Sequence, residues 1–297
     1  MELGSCVKRI MISVIALCAV IEVSAQRLLV RADDIGSSHA ANQAVIKTYT
    51  DGVTRSAELM IVCPWVPEAV KMLQANPGLD VGLHIVFTSE WDGMKWRPLT
   101  ACTSMTDEYG YFVPNSFPSD NYPNGSLMGR TIDIAQAEAE LRAQIELAQK
   151  MLPGRITHCT GHMMGPAITE EIAAMSVRVC NEYCVPLMDD RGEASRKYGF
   201  GGMAIRWGLP PAERTREFIE GLKKLEKGKT YMYIEHPALD TDEMRGISHI
   251  GYENVAEDRQ AVTDMFTSPE VKRIIEEKGI ELVSYGDLVR EYKYKGE

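Results

Sequence analysis

Two adjacent carboxylates, Asp33 and Asp34, follow a short apolar run at residues 28–30 and the polar step at 31–32. The Ile-Gly-Ser-Ser segment at 35–38, typical of a turn that opens a helix, comes directly after them. A strand that ends in this way presents both carboxylates at the carboxyl end of a sheet, where α/β proteins place their active sites. One carboxylate could therefore bind a cation while the other takes a proton from the group that the cation activates.

Four of the six histidines, His84, His158, His162 and His236, lie on or just after predicted strands. His84 lies within an apolar strand, where a single histidine is more often a hydrogen-bonded core residue than a ligand. His158 and His162 have H-x-x-x-H spacing, which is a weak signal unless a third protein ligand is available. A barrel would gather all four histidines around one mouth, and this convergence is a stronger signal than any single spacing.

Strand-like and helical patterns alternate from Gln26 to the C-terminus. The predicted strands are 28–34, 57–62, 80–87, 155–160, 185–188, 230–236 and 280–284, and the predicted helices are 40–50, 66–74, 134–151, 168–183, 212–226 and 269–278. Repeated alternation implies parallel strands joined by right-handed crossovers. We therefore expect an α/β fold, a single (β/α) barrel over residues 26–297 that is distorted or incomplete and has about seven strands. The sequence contains no G-x-G-x-x-G or P-loop motif that would favour a nucleotide-binding sheet.

A long segment at 89–130, rich in Trp, Tyr, Pro, Asn and Gly, interrupts this alternation. A loop of this length inside a compact domain is usually functional. Its aromatic side chains could stack on sugar rings, or they could anchor the loop to the barrel. On the first interpretation Trp91 and Trp96 are candidate substrate-binding residues.

The first 25 residues have the pattern of a signal peptide. Lys8 and Arg9 precede an apolar run at 10–21, and Val-Ser-Ala at 23–25 suits cleavage before Gln26. The run is shorter than the roughly 20 residues needed to span a bilayer. We therefore expect export to the periplasm or the exterior, with no membrane attachment after cleavage. A buried N-terminal helix is the alternative.

Composition limits the partners of the mature chain. A formal net charge of −10 argues against nucleic acid and anionic membranes, because both require clustered Lys and Arg. A neutral substrate such as an uncharged sugar is easier to accommodate, and the sequence leaves a homodimer open. Five cysteines follow residue 25, an odd number without C-x-x-C spacing, so we expect buried small side chains rather than a disulfide framework.

Short segments, in order along most of the mature chain, resemble the YdjC-like carbohydrate deacetylases, a family distantly related to the NodB-type polysaccharide deacetylases. They are Ala-Asp-Asp-Ile-Gly at 32–36 with Asn-Gln-Ala-Val at 42–45, the strand at 52–60, Asp-Val-Gly-Leu-His at 80–84, the segment 157–163, Glu-His-Pro at 235–237, and 279–285. Asn42, in the opening segment, is a third candidate substrate-binding residue.

The resemblance implies a (β/α) barrel that binds one divalent metal ion, Zn or Mg, through one Asp and two His. Carried over position by position, these ligands are Asp34, His84 and His162. Asp33 would be the general base that deprotonates the water activated by the metal, and His236 would protonate the leaving amine. The implied substrate is an acetylated amino sugar or oligosaccharide.

Two positions qualify this assignment. Arg191 could pair with Asp33 and hold it ionised, although an ordinary surface ion pair is the alternative. Many family members carry Asp-Ser-His where this chain has Thr160-Gly161-His162. Loss of a carboxylate that supports a ligand histidine typically costs about 10- to 100-fold in affinity or activity. His158 could also replace His162 as the ligand.

The sequence thus predicts an exported metal-dependent hydrolase that removes N-acetyl groups from amino sugars. A sugar-binding relative that has lost turnover, motivated by the substitution at Thr160, is the first alternative. Hydrolysis of another amide or ester at the same site is the second.

Overall fold

The computed structural model describes residues 25–189, 192–206 and 208–294. The predicted signal peptide, except for Ala25, and Arg191 lie outside these ranges. Within the described ranges, no helix has both the length and the apolar character required to cross a membrane.

Seven parallel strands form one curled sheet in the described part of the chain. They are β1 (Arg27–Ile35), β2 (Ser56–Leu59), β3 (Asp80–Ile85), β4 (Ile156–Gly161), β5 (Phe200–Gly202), β6 (Thr230–Glu235) and β7 (Glu281–Val283). Their order is β4-β3-β2-β1-β6-β5, and β7 pairs with the start of β1. This half-barrel confirms the predicted distorted (β/α) architecture.

Helices connect the strands and cover the outside of the sheet. They are α1 (His39–Thr50), α2 (Val66–Ala75), α3 (Ile134–Met151), α4 (Glu170–Glu182), α5 (Glu193–Tyr198), α6 (Pro211–Lys223), α7 (Asp242–Arg245), α8 (Val255–Thr267), α9 (Pro269–Lys278) and α10 (Tyr285–Tyr294). Several begin at a side chain that accepts from the first turn, such as Ser38 for α1, Asp133 for α3 and Thr169 for α4. These caps satisfy amide groups that lack partners within the helix.

One predicted strand is wrong, and one strand and four helices were not predicted. In residues 185–188 only Leu187 makes a bridge, to Cys159 on β4. The unpredicted strand β5 is a three-residue segment with two glycines, which carries little strand signal. Helices α5, α7, α8 and α10 were also not predicted.

The central strand β1 is buried on both faces, as expected for a parallel sheet covered by helices. Leu28, Leu29 and Val30 have no exposed surface. The long insertion after β3 is mostly irregular and contains one short 3-10 turn, Thr103–Met105. Phe112 in this insertion is buried. The cysteines of the described chain are free, and all except Cys184 are buried, as expected.

Candidate metal centre

Three side chains from different strands meet at one edge of the sheet. Asp34 lies near the end of β1, His84 near the end of β3, and His162 directly after β4. Because the strands are parallel, their carboxyl ends share that edge. One ligand atom of each residue lies within 4.8 Å of the other two, and all three side chains are buried. The structure therefore brings together the three residues predicted as metal ligands.

The backbone at the end of β1 explains how neighbouring carboxylates share one pocket. Successive side chains of a regular strand point to opposite faces. Here the pairing of β1 with β2 shifts register between Ala32 and Ile35, and Asp34 has a left-handed φ of 71°. This sparsely populated conformation turns the chain so that Asp33 and Asp34 both line the same cavity.

Asp34 Oδ1 is the atom that indicates a cation. It is buried and has no hydrogen-bond partner within the described chain. It lies 3.7 Å from His84 Nε2 and 3.5 Å from His162 Nδ1. Asp34 Oδ2 forms an ion pair of 2.9 Å with Arg259 Nη1. A buried oxygen without a partner between two imidazole nitrogens fits a divalent ion such as zinc.

The charges around Asp34 keep it ionised. Burial alone raises the pKa of this carboxyl, but Arg259, His236 and His162 outweigh that effect and hold the pKa well below its usual range. The carboxylate is therefore available as a ligand at neutral pH.

The second ring nitrogen of each histidine is held by another side chain. His84 Nδ1 lies 2.8 Å from Thr160 Oγ1, and His162 Nε2 lies 2.9 Å from Glu90 Oε2. Such contacts orient the rings of ligand histidines. They leave His84 Nε2 and His162 Nδ1 to face Asp34.

The two rings differ in their protonation. Burial, the charge of Arg31 and the nearby His162 lower the pKa of His84 to about 3, so this ring is neutral. Burial also lowers the pKa of His162, but Glu90 and Asp34 outweigh it and raise the pKa to about 10. A cation that binds here must therefore displace a proton from His162.

Asp33 is oriented by Arg31. Arg31 Nε lies 2.5 Å from Asp33 Oδ1, and Nη2 lies 2.8 Å from Oδ2. Arg31 Nη1 also lies 3.2 Å from each carboxylate oxygen of Asp189. Burial raises the pKa of Asp33, and Arg31 and His236 do not fully offset it, so the pKa lies above its ordinary value. Arg31 is thus a charged partner of Asp33, whereas Arg191, the predicted partner, lies outside the described residues.

His236 faces Asp33 across the mouth of the cavity. Its Nε2 lies 3.8 Å from Asp33 Oδ2, and 40% of its side chain is exposed. The neighbouring Glu235 points elsewhere, because its Oε1 accepts a hydrogen bond of 3.2 Å from the Tyr233 hydroxyl. His236 is therefore accessible to a ligand while it remains close to the paired acids.

His158, the alternative ligand, is not part of the group formed by Asp34, His84 and His162. Its Nε2 lies 2.9 Å from Glu58 Oε1, and both side chains are fully buried. This buried pair removes His158 from consideration as a metal ligand.

The cavity above the cluster has a volume of about 550 Å³. Trp91, His249 and Tyr252 form an aromatic wall, in which the rings of Trp91 and His249 stack with centroids 5.5 Å apart. Trp91 is only 3% exposed, so His249 and Tyr252 provide more of the accessible surface.

The structure does not place the other two predicted substrate-binding residues in this cavity. Trp96 is buried, donates from Nε1 to the Thr88 carbonyl and packs edge-on against His162, with ring centroids 6.2 Å apart. Asn42 has no exposed surface. Its Oδ1 accepts a hydrogen bond from the Gly36 N–H, and its Nδ2 donates to the Trp65 carbonyl and to Glu68. The polar groups of both residues are already engaged within the protein.

Sequence reasoning missed Arg31, Glu90 and Arg259. Arg31 could have been found, since it lies two residues before Asp33 on a strand and so shares its face. Glu90 and Arg259 gave no such signal, because their approach depends on the path of the insertion and on the packing of α8.

Residues 27–277 match the family model described as YdjC-like protein. A carbohydrate deacetylase of Thermus thermophilus is 30% identical over 84% of this chain and 89% of its own length. A chitooligosaccharide deacetylase of Yersinia enterocolitica is 27% identical over 88% of this chain and 98% of its own length. A solved structure from Enterococcus faecalis, named as a candidate cellobiose-phosphate cleavage protein, superposes with a TM-score of 0.70 at 21% identity. The superposition covers 89% of this chain and 99% of the Enterococcus faecalis chain, so the two proteins share the fold.

Proposed function

The chain belongs to the YdjC-like protein family, and we propose that it is a metal-dependent hydrolase that removes N-acetyl groups from amino sugars or their oligosaccharides. The observation that carries this proposal is the buried, unpartnered Oδ1 of Asp34 between two imidazole nitrogens. The relatives named as carbohydrate and chitooligosaccharide deacetylases supply the substrate class.

Asp34, His84 and His162 would hold the ion. A divalent cation there supplies Lewis-acid chemistry, since it makes water a better nucleophile and stabilises negative charge on a carbonyl oxygen. Asp33, kept in place by Arg31, accepts the proton that the attacking water loses. His236 donates a proton to the amine nitrogen as the C–N bond breaks. The products are acetate and the free amino sugar.

The cavity suits a small neutral ligand. Its volume of about 550 Å³ lies within the range of about 300–1,000 Å³ that is usual for small-molecule sites. His249, Tyr252 and Met164 offer apolar faces against which a sugar ring can pack. Export is part of the same proposal and rests on the sequence pattern of residues 1–25.

Metal analysis and acetate release test this function together. We expect the purified chain to retain about one equivalent of zinc after dialysis, to release acetate from N-acetylglucosamine oligomers, and to lose that activity on chelation. Acetate release that survives complete removal of metal would contradict the metal-dependent mechanism. Zinc and sugar binding without acetate release would instead favour the sugar-binding alternative.

The role of His236 predicts a dependence on the leaving group. His236→Ala should lower kcat on N-acetylated sugars by about 10²–10⁴, the usual contribution of a general acid or base. An activated aryl acetate needs no proton donor because its leaving group departs as a stable anion, so its hydrolysis should decrease much less. The measurement is kcat for both substrates at saturating zinc.

His249→Ala is the control for this experiment, because His249 lines the same cavity but belongs to the aromatic wall. It should affect mainly KM for the sugar. Equal losses of kcat on both substrates in His236→Ala would show that His236 binds substrate or metal instead of donating the proton.

A further inference from the structure

A continuous series of buried hydrogen bonds extends from His84, a predicted metal ligand, into the half-barrel. His84 Nδ1 lies 2.8 Å from Thr160 Oγ1, and Thr160 Oγ1 donates to Glu58 Oε2 at 2.7 Å. The other oxygen of this carboxylate, Glu58 Oε1, lies 2.9 Å from His158 Nε2. Glu58, Thr160 and His158 have no exposed surface. The series of hydrogen bonds thus begins at His84 and ends at the buried ion pair between Glu58 and His158.

The register of three neighbouring strands builds this series of hydrogen bonds. His84 on β3 pairs directly with Thr160 on β4, so their side chains are adjacent on one face. Glu58 on β2 pairs with Gly82, and Gly82 pairs with His158. A Cβ at Gly82 would lie 2.2 Å from Glu58 Oε2 and 2.4 Å from His158 Nε2. Only glycine at this position leaves room for the carboxylate and imidazole to meet.

The surroundings keep Glu58 charged. Burial raises its pKa, but His158 and Arg31 outweigh burial and lower the pKa of Glu58 to about 2. Arg31 Nε is 4.0 Å from Glu58 Oε1. A carboxylate in this state accepts hydrogen bonds and cannot donate them.

The single hydroxyl proton of Thr160 then determines the tautomer of His84. Thr160 donates this proton to the Glu58 carboxylate, because a charged acceptor forms a bond roughly twice as strong as a neutral one. Thr160 Oγ1 can therefore only accept from His84, so the second proton in this contact belongs to His84 Nδ1. His84 Nε2, which lies 3.6 Å from Asp33 Oδ2 and 3.7 Å from Asp34 Oδ1, is left without a proton and with a free lone pair.

We propose that Thr160 and Glu58 are positioning residues that hold His84 in its metal-binding tautomer, with Thr160 passing the influence of the Glu58 carboxylate to the ring. This inference rests on the proposed function in treating His84 as a ligand. Many family members have a carboxylate at position 160, where this chain has Thr160. Here Glu58 on β2 supplies the negative charge instead, and it acts on His84 through the Thr160 hydroxyl. The substitution at Thr160 is thus compatible with an active site.

The tautomer can be measured without any metal. In metal-free protein labelled with 15N-histidine, we expect the His84 ring to show Nδ1 protonated and Nε2 bare. Thr160→Val, which keeps the shape but removes the hydroxyl, should shift His84 towards a mixture of tautomers or the opposite one. Thr160→Ser should retain the tautomer of the unsubstituted protein. An unprotonated Nδ1 in the unsubstituted protein, or no change in Thr160→Val, would overturn the proposal.

Zinc affinity, measured by competition with a chromophoric chelator, provides the second readout. Thr160→Val should weaken zinc binding by about 10- to 100-fold, as for loss of other groups that orient ligand histidines. Glu58→Gln should weaken it in the same direction. Combining Glu58→Gln with Thr160→Asp, which places a carboxylate directly against His84, should restore affinity. Failure of the combined substitution to improve on Glu58→Gln would contradict the role assigned to the carboxylate.

Glu140→Gln is the matched control. Glu140 is also fully buried, but its oxygens accept from Leu99, Thr100 and Gln144, away from the cluster. This variant should lose stability without losing zinc affinity. If the unsubstituted protein binds no zinc, the proposed function fails, whereas the 15N measurement still decides the tautomer proposal by itself.

Discussion

Asp34→Asn is expected to abolish zinc binding while the chain stays folded. Asp34 Oδ1 lies within 3.7 Å of both ligand nitrogens, and an amide removes the negative charge that compensates the cation. Asparagine is a suitable replacement because it tolerates the left-handed φ of 71° at this position, which alanine does not favour. Its amide oxygen can also still accept from Arg259, the buried partner of Asp34.

Thermal unfolding with and without zinc measures this effect independently of activity. At zinc about 100-fold above its Kd, binding to the folded state should stabilise the unsubstituted protein by about 2.7 kcal/mol, whereas Asp34→Asn should gain nothing. Asp133→Asn is the control, because Asp133 only caps α3 and asparagine caps equally well. Undiminished zinc affinity in Asp34→Asn would show that the ligand set is wrong.

Strand ends are readable in a sequence, so the edge that holds the ligands could be predicted, whereas the choice of ligands among two acids and four histidines came from the family resemblance. Asp34, His84 and His162 each end or follow a β-rich segment, and parallel topology places all such ends at one edge. Their supporting residues depend on details that no local pattern contains. Glu90 reaches His162 only through the path of an irregular insertion, and Arg259 reaches Asp34 from a helix that was not predicted.

Glu58 shows a signal that was present but was not used. A glutamate within an apolar strand must be paired when that strand is buried, because an unpaired carboxylate is almost never found there. Its partners could not be named from the sequence, since they follow from the register of β2, β3 and β4. The role of Gly82 could not be predicted either. A side chain at this position would collide with Glu58 and His158, and only the structure shows that those two residues meet there.

The fold was predictable to a similar extent. Long alternating segments gave most strands and helices, whereas short elements such as β5 are made by tertiary pairing with β6. The segment 185–188 has strand-like residues, yet it pairs with β4 only around Cys159, through one isolated bridge at Leu187. Strand formation depends on available neighbours as much as on propensity.

Asp33 and Asp34 are expected to have different functions. Asp33 is outside the group of ligand atoms formed by Asp34, His84 and His162 in the described chain. Its carboxylate oxygens contact Arg31, and Oδ2 lies 3.8 Å from His236 Nε2 and 3.6 Å from His84 Nε2. Asp33 is therefore placed to accept a proton in the cavity while a second carboxylate holds the ion.

Asp33→Asn should keep zinc bound and lower kcat by about 10²–10⁴, the usual contribution of a general base. The replacement is mild for the fold, because Arg31 keeps Asp189 as a charged partner.

Since the pKa of Asp33 is raised above its ordinary value, activity of the unsubstituted protein should decrease as pH falls through that raised pKa, where the base becomes protonated. Asp33→Asn should lack this acidic decrease in its profile of kcat against pH, because the remaining activity no longer depends on that group. Zinc content, measured on the same samples, separates the two carboxylates: loss of zinc in Asp33→Asn equal to that in Asp34→Asn would mean that both acids are ligands and that the base must be another residue.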